Sequence, residues 1–332
     1  MGIVAAKQNE KVSTAFGEML PIAVATLRPV TSLDFTLYLI PALNRPPLLF
    51  RERKYPLTQD DLNRLEAGGQ ETLYTTFHER ARYEAYLKEN LDALLADERT
   101  EPRIRYVLLQ ECARGQLGMA FRMVGAEETL KACTDVGRHM VELLGRSDVK
   151  PLELFEVMKH DYYTATHMFN VSTYCVALAK LLGVDDETEL EKIAIGGLLH
   201  DLGKLAIPPH ILNKTTPLTP EERAVITGHP QAGFEKLRGQ PGLEWSQLMM
   251  VYQHHEKLDG SGYPVQCVGD DIHWFAKLCA VVDIFDAMTC ARAYRKPANM
   301  SDVVDHLERL SDGKLDKEMV DCWITTIRST RR

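Results

Sequence analysis

The stretch "GGLLHDLGKLAIP", residues 196–208, places three ionisable side chains, His200, Asp201 and Lys204, at the end of an apolar helical pattern. On a repeat of 3.6 residues these side chains lie along one arc together with Gly197. Two adjacent glycines each cost a helix about 1 kcal/mol relative to alanine, so we expect that packing or a site requires them. Gly197 leaves room for another backbone or a ligand. An isolated His-Asp dipeptide is more often a buried histidine beside its carboxylate partner than a site.

The same residue types recur in other apolar segments. "TATHMFNVSTYCVALAKLL" contains His167, and "AKLCAVVDIFDAMT" contains Asp283 and Asp286. The segments "TGHP" and "QHHEK" supply three further histidines: His229, His254 and His255. Buried polar groups need partners, and imidazoles with carboxylates from several helices of a bundle are the donor set of a dinuclear metal centre. One shared site is therefore a simpler explanation than several unrelated buried residues.

Composition places the chain among ordinary globular proteins. Its 332 residues are 45% hydrophobic and 26% charged, which is enough for two domains with ample cores. A net charge of −8 argues against general nucleic-acid binding, because such proteins normally present basic surfaces to phosphates. We therefore expect no nucleic-acid partner.

The cysteines and apolar runs bear on the compartment. Seven cysteines are scattered without a C-x-x-C pattern, which predicts buried, reduced thiols and neither disulfides nor a zinc–thiolate site. No run approaches the roughly 18–20 apolar residues that span a bilayer, and "MGIVAAKQNEK" is too short in apolar length for a secretory signal. These features predict a cytoplasmic protein that does not enter a membrane.

The residue patterns predict an α+β protein that is mainly an α-helical bundle preceded by a small α/β domain. Residues 1–98 contain short β-branched and aromatic runs around one helical pattern, which predicts a small α/β domain with either a packing or oligomerisation role or a sensory one. Residues 99–150 read as linking helices. Residues 151–332 are helical, with Pro- and Gly-rich loops, and carry all of the candidate chemistry.

Four segments resemble, in order and spacing, the motifs of the HD-GYP family, a branch of the HD phosphohydrolase superfamily. They are "LLHDLGKLAIP", "LTPEERAVITGHPQAG", "HHEKLDGSGYP" and "VVDIFDAMTCARAYRKP". The resemblance covers roughly residues 151–330, about half of the chain. It implies a metal-dependent helical phosphohydrolase domain.

The resemblance implies two divalent metal ions. One would be held by His167, His200, Asp201 and Asp283; the other would be held by His229, His254 and His255, with Asp201 bridging. Iron and manganese are the expected ions, although zinc also suits such donors. We interpret Asp286, one turn from Asp283, as a residue that orients a ligand histidine.

The implied reaction is hydrolysis of cyclic di-GMP to pGpG by a metal-activated hydroxide, and further hydrolysis to GMP is left open. Lys204 is expected to contact a phosphate oxygen, unless it simply extends to solvent at a helix end. "CARAYRKP" matches the family's R-x-Y-R segment. This match makes Arg292 and Arg295 candidates for the phosphates and Tyr294 for the guanine, with an exposed basic loop as the alternative.

Two other functions stay open at this point. Because a metal centre does not read bases, the substrate could be another cyclic dinucleotide such as cyclic GMP-AMP. The protein could also be a cyclic-dinucleotide sensor with slow turnover. The complete ligand set, Lys204 and the full "DGSGYP" loop favour catalysis.

The "DGSGYP" loop, residues 259–264, is a hallmark of the family beside the active site. Its Tyr263 has two candidate roles, one at the site and one in contact with a partner, for which the resemblance implies a diguanylate cyclase. A homodimer is left open.

Some members of the family hold a third metal through a glutamate four residues before the first ligand histidine. Here that position is Tyr163, and a phenol with an unperturbed pKa of about 10 is a poor substitute for a carboxylate. We therefore expect two metals per chain.

Overall fold

The computed structural model describes residues 12–14, 17–30, 32–41, 45–98, 100–122, 125–147, 149, 164–290 and 297–329. The chain forms two compact units, Met1–Cys112 and Ala113–Arg332. The boundary between them falls within one long helix, Pro102–Arg122. All of the described candidate metal ligands belong to the second unit.

The first unit is built on an antiparallel sheet that has five strands within the described residues. Along the chain its elements are β1 (Val12–Thr14), β2 (Gly17–Ala23), β3 (Leu37–Leu39), β4 (Leu48–Arg51), α1 (Gln59–Ala67), β5 (Thr72–Thr76) and α2 (Arg80–Ala96). The spatial order of the strands is β1-β2-β5-β3-β4. Phe35 is fully buried and meets the rings of Tyr83 and Tyr86 on α2 edge-on, with both centroid distances at 5.5 Å. Aromatic packing therefore places α2 in the core of this unit.

The rest of the described chain is helical. Its helices are α3 (Pro102–Arg122), α4 (Ala126–Gly145), α5 (Thr164–Leu181), α6 (Glu187–Leu199), α7 (Pro209–Leu212), α8 (Pro220–Thr227), α9 (His229–Leu237), α10 (Trp245–Gln253), α11 (Trp274–Thr289), α12 (Met300–Ser311) and α13 (Lys317–Ser329). The predicted fold class, a mainly helical protein with a small α/β domain at the N-terminal side, is confirmed.

The glycine pair in α6 has a packing reason. A Cβ at Gly197 would lie 2.7 Å from the Cα of Ser172 on α5, so a side chain at this position would force the two helices apart. Ser172 Oγ donates a hydrogen bond to Ala194 O at 2.7 Å across the same contact. Gly196 faces α10, where its Cβ would meet Met250 Sδ at 2.6 Å. The two glycines let α6 lie between α5, which carries His167, and α10, which His254 follows directly.

An aromatic cluster joins α5, α11 and α13. Tyr174, Phe285 and Trp323 meet edge-on with centroid distances of 5.3 to 5.5 Å, and each is at most 2% exposed. This cluster fixes α11, which carries Asp283 and Asp286, against α5, which carries His167.

The cysteines and the helices can be compared with the sequence-based expectations of reduced thiols and no bilayer-spanning run. All seven cysteines are free, and five of them are buried. Among the described residues, no helix has both the length and the apolar character needed to cross a bilayer.

Candidate metal centre

Three of the candidate ligand histidines lie just past the C-terminal ends of helices. His200 follows α6, His254 follows α10, and His229 lies two residues past α8. The last carbonyl groups of a helix have no intrahelical donor, and in each case the imidazole Nδ1 bonds to the carbonyl three residues earlier. The acceptors are Gly197 O at 2.7 Å, Ile226 O at 2.8 Å and Val251 O at 2.9 Å. Because a carbonyl only accepts, Nδ1 carries a proton, and in the neutral form of each ring the lone pair lies on Nε2.

His167 is oriented differently because it lies inside α5, where the backbone carbonyls are engaged in the helix. Its Nδ1 donates instead to Asp286 Oδ2 of α11 at 2.7 Å. Asn170 Nδ2 donates to Asp286 Oδ1 at 3.1 Å, and Cys290 Sγ donates to Oδ2 at 3.2 Å. Asp286 is thus fixed by two further donors while it directs Nε2 of His167 away from itself, which is the arrangement that orients metal-ligating histidines.

The seven candidate ligands form two groups. The first cluster contains His167, His200 and Asp283, and the second cluster contains Asp201, His229, His254 and His255. Within each cluster, one nitrogen or oxygen atom per residue lies within 4.8 Å of the others. The structure therefore brings together all seven residues that the sequence motifs singled out as ligands.

Asp201 faces both clusters. Its Oδ2 lies 3.4 Å from His167 Nε2 and 3.5 Å from His200 Nε2. Its Oδ1 lies 3.2 Å from His229 Nε2 and 3.8 Å from His254 Nε2. One oxygen for each cluster is the geometry that a bridging carboxylate requires.

The residues present fit a pair of cations. His200 Nε2 and Asp201 Oδ1 are buried and have no hydrogen-bond partner within the part of the chain that the structure describes. Leaving such atoms unpaired in the interior is costly, and here their lone pairs converge with those of other imidazoles and carboxylates. This donor set of nitrogen and oxygen atoms is consistent with a dinuclear metal site.

The charges of the ligands are set by burial and by each other. Burial alone would raise the pKa of Asp201, but the Lys204 ammonium and the neighbouring His200 hold it well below its usual value. Asp283 is also held well below its ordinary pKa, since the neighbouring His167 outweighs the effect of burial. Both carboxylates are therefore ionised. Burial lowers the pKa of His254 to about 4, which keeps its imidazole neutral and able to act as a ligand.

The histidines of the first cluster respond in the opposite direction. Burial lowers the pKa of His200, but the adjacent Asp201 carboxylate outweighs it and raises the value to about 9. Hydrogen bonds to carboxylates likewise raise the pKa of His167 well above its usual value despite its burial. In this cluster a cation would replace protons that the carboxylates otherwise attract.

Lys204 lies at the edge of the centre. Its Nζ donates to Asp201 Oδ2 at 2.5 Å, and its side chain is 14% exposed. The structure thus places this lysine on the Asp201 carboxylate. Arg292, Tyr294 and Arg295, the other candidate substrate residues, lie outside the described residues, as does Tyr163.

Gly203 is a residue of the site that the motif analysis did not single out. A Cβ at this position would lie 1.9 Å from His229 O and 2.6 Å from Gly233 N, so only glycine allows the turn after Asp201 to lie on the start of α9. The close approach is what places Asp201 beside His229. The feature of the sequence that could have indicated this role is the glycine in "HDLGK". It stands two residues after Asp201, and no turn motif explains its presence there.

Residues 143–319 match the sequence model of the HD domain. The chain belongs to the HD-domain family. The resemblance of this HD-domain protein to the HD-GYP branch is confirmed by its relatives and its fold. A solved HDG"Y"P protein from Bdellovibrio bacteriovorus superimposes with a TM-score of 0.66 at 21% identity, over 95% of this chain and 100% of that one, which shows the shared fold.

Curated relatives of this HD-domain protein include enzymes for two substrates. A cyclic di-GMP phosphodiesterase of Pseudomonas aeruginosa is 31% identical over 176 residues, which are 53% of this chain and 42% of the relative. The 3'3'-cGAMP-specific phosphodiesterase 2 of Vibrio cholerae is 40% identical over 135 residues, which are 40% of this chain and 26% of the relative. The match therefore spans less than half the length of each of these relatives.

Proposed function

We propose that this protein is a metal-dependent phosphodiesterase of cyclic dinucleotides, with cyclic di-GMP as substrate, pGpG as first product and GMP as second. The observation that carries the proposal is the position of Asp201, whose Oδ2 faces the histidines of the first cluster while its Oδ1 faces the histidines of its own, second cluster. The relatives that act on cyclic di-GMP or 3'3'-cGAMP support the class of substrate.

The first cluster with Asp201 Oδ2 would hold one cation, and the second cluster with Asp201 Oδ1 would hold the other. When bound, two neighbouring divalent cations would lower the pKa of a water molecule and neutralise the oxygens of a phosphodiester. We propose iron or manganese, since a mixed set of imidazoles and carboxylates suits both.

The substrate would enter from the side of His255. The side chain of this histidine is 21% exposed, whereas Asp201 and the other ligand histidines are at most 1% exposed. The ammonium group of Lys204 lies beside the shared carboxylate, so a phosphate bound between the clusters would come within its reach. We assign Lys204 to a non-bridging phosphate oxygen, Arg292 and Arg295 to the phosphates, and Tyr294 to packing near the guanine.

A second candidate substrate is 3'3'-cGAMP. The relative that matches at 40% identity is specific for this dinucleotide, and the two substrates differ in one base while sharing the phosphodiester ring. The metal centre acts on the shared part. Discrimination would therefore depend on the residues that contact the bases.

The test is product analysis on anaerobically purified protein loaded with Fe²⁺ or Mn²⁺. Cyclic di-GMP, 3'3'-cGAMP and cyclic di-AMP are incubated separately, and the products are separated by chromatography. Asp201→Ala should bring hydrolysis below detection. Asp185→Ala, an exposed aspartate before the opposite end of α6, is the matched control and should leave hydrolysis unchanged.

The outcomes separate the candidates. Hydrolysis of cyclic di-GMP in preference to the others supports the first proposal, and preference for 3'3'-cGAMP supports the second. Binding without a product from any dinucleotide would contradict both and indicate a sensor. Contact of the "DGSGYP" loop with a diguanylate cyclase and assembly as a homodimer stay predictions of the sequence.

A further inference from the structure

His255 differs from the other four ligand histidines in how its ring is oriented. Each of the others donates from Nδ1 to a carbonyl or carboxylate oxygen at 2.7 to 2.9 Å. Within the described residues, His255 has no side-chain hydrogen bond, and its Nδ1 lies 4.0 Å from Asp283 Oδ2. A ligand without an orienting hydrogen bond needs another restraint, since metal affinity depends on the direction of the ring.

The ring of Tyr263 lies against the imidazole of His255. Their centroids are 4.7 Å apart and the planes are inclined by 33°, a tilted contact at the short end of the distances seen between paired aromatic rings. Tyr263 also lies 6.4 Å from the ring of His229 at 76°. The phenol ring therefore borders two imidazoles of the second cluster.

The loop that carries Tyr263 is fastened to the residue that follows His255. Glu256 is 2% exposed, and its Oε1 accepts hydrogen bonds from the consecutive amides of Val265 at 2.8 Å and Gln266 at 3.0 Å. Gln266 has a left-handed φ of 63°. A side chain tolerates this conformation only where its surroundings impose it, and here the two amides form a small anion-binding concavity around the carboxylate.

The loop also lies directly on the backbone beneath it. A Cβ at Gly262 would lie 2.4 Å from Glu256 Cα and 2.5 Å from Lys257 N, so only glycine permits the contact. Tyr263 N donates to His255 O at 3.4 Å. Three contacts together hold the position of Tyr263 relative to His255: the close packing of Gly262, the hydrogen bond from the Tyr263 amide and the hydrogen bonds to the buried Glu256 carboxylate.

We infer that Tyr263 is a positioning residue of the second cluster, holding the His255 imidazole in its ligating orientation by ring-to-ring contact, and that Glu256 holds Tyr263 in place. This inference rests on the proposed metal centre. It assigns Tyr263 to the site, where the sequence had left open a role at the site or in partner contact. The contact between the two rings performs for His255 the task that hydrogen bonds perform for the other ligand histidines.

The test measures Mn²⁺ binding to the full chain, with free Mn²⁺ followed by its EPR signal. The wild-type protein should bind two ions. Tyr263→Ala should raise the dissociation constant of one of the two ions about 10- to 100-fold, the usual effect of removing a residue that orients a ligand, and leave the other ion unchanged. Tyr263→Phe keeps the ring and should bind Mn²⁺ within about twofold of wild type.

The link to Glu256 is tested by two further variants. Glu256→Ala should weaken the same ion, whereas Glu256→Gln keeps an acceptor oxygen for both amides and should restore most of the affinity. The double variant Glu256→Ala/Tyr263→Ala should be no weaker than Tyr263→Ala alone, since both act through one ring. Val265→Ala, whose side chain is 52% exposed, is the control within the loop.

Each outcome bears on the inference. Two ions bound at wild-type affinity by Tyr263→Ala would overturn it, as would additive effects in the double variant or equal weakening of both ions. Tyr263→Leu fills the space without an aromatic ring, and it decides the question if thermal unfolding shows that the alanine variant is not folded. Fewer than two ions on the wild-type chain would contradict the proposed metal centre itself.

Discussion

The first cluster belongs to the helical core, whereas the second cluster is assembled largely from helix ends and a loop. His167 and Asp283 lie within α5 and α11, and Asp286 and Asn170 connect these two helices by hydrogen bonds between buried side chains. In the second cluster, His229 and His254 are fixed by carbonyls at helix ends, and His255 by a ring from the "DGSGYP" loop. Stability of the core should therefore protect the first cluster, while the second should be sensitive to local changes in turns.

The largest effect should come from Gly203→Ala, which breaks the contact between the turn after Asp201 and the start of α9. The new methyl group would meet His229 O at 1.9 Å, so the turn after Asp201 and the start of α9 must separate. Overpacking of this kind costs about 3 kcal/mol or more when backbone is the obstacle. Chemical denaturation should show this loss of stability, together with loss of hydrolysis.

Gly145→Ala is the matched control for that change. An added Cβ there meets nothing within 4 Å, so the free energy of unfolding should change by less than about 1 kcal/mol. A Gly203→Ala variant as stable and active as the Gly145→Ala variant would contradict the close approach.

Asp286→Asn should weaken the first cluster selectively. The substitution removes a negative charge and one acceptor oxygen from a residue that accepts from His167, Asn170 and Cys290. We expect the affinity for the first-cluster ion to fall about 10- to 100-fold, as measured by Mn²⁺ titration. Asp305→Asn, an exposed aspartate on α12, should bind both ions normally. Weakening confined to the ion that Tyr263→Ala affects would refute the separate support of the two clusters.

Lys204→Ala should lower kcat/KM about tenfold and leave the metal content unchanged. A charge-assisted contact to phosphate contributes about 1.5–3 kcal/mol. The lower part of this range applies because Lys204 Nζ must give up part of its hydrogen bond to Asp201 in order to bind the phosphate. Steady-state kinetics and metal analysis of the same preparation provide the measurement. A fall in metal content would instead show that Lys204 stabilises the bridging carboxylate.

The smallest effect is expected at Asp61, a buried carboxylate that lies outside the candidate metal centre. Unlike Asp201, whose Oδ1 has no hydrogen-bond partner among the described residues, Asp61 is fully occupied by protein donors. Asp61, at the start of α1, accepts hydrogen bonds from Thr58 and forms ion pairs with Arg51 and Arg64. Burial raises its pKa, but the Thr58 bonds and both arginines outweigh this and lower it below the usual value. A carboxyl group with a lowered folded pKa contributes stability above its unfolded pKa of about 4, and this contribution is lost as the pH falls through the folded value.

Asp61→Asn should therefore increase amide exchange in α1 about fivefold at neutral pH, as expected for an ion pair worth about 1 kcal/mol. The difference from wild type should vanish in acid. Hydrogen exchange with mass spectrometry of the α1 peptide measures both. A difference that grows as the pH falls would contradict the assigned sign.

Residue types, together with the resemblance to the HD-GYP motifs, were sufficient to predict which side chains would lie together. Histidines and aspartates within or just after apolar helical patterns marked the seven residues that converge in the two clusters, and the glycine pair at Gly196 and Gly197 indicated a close approach to α6. These features are local, because helix ends leave carbonyls that a neighbouring histidine can cap.

The pairing of side chains across the fold could not be read from any local pattern. Asp286 directs His167 across a separation of 119 residues, Asp201 turns one oxygen to each cluster, and Tyr263 rather than a hydrogen bond restrains His255. Each of these contacts depends on how closely two helices or a loop and a helix approach in space. That distance is set by packing of side chains far apart along the chain, which a periodicity of 3.6 residues does not encode.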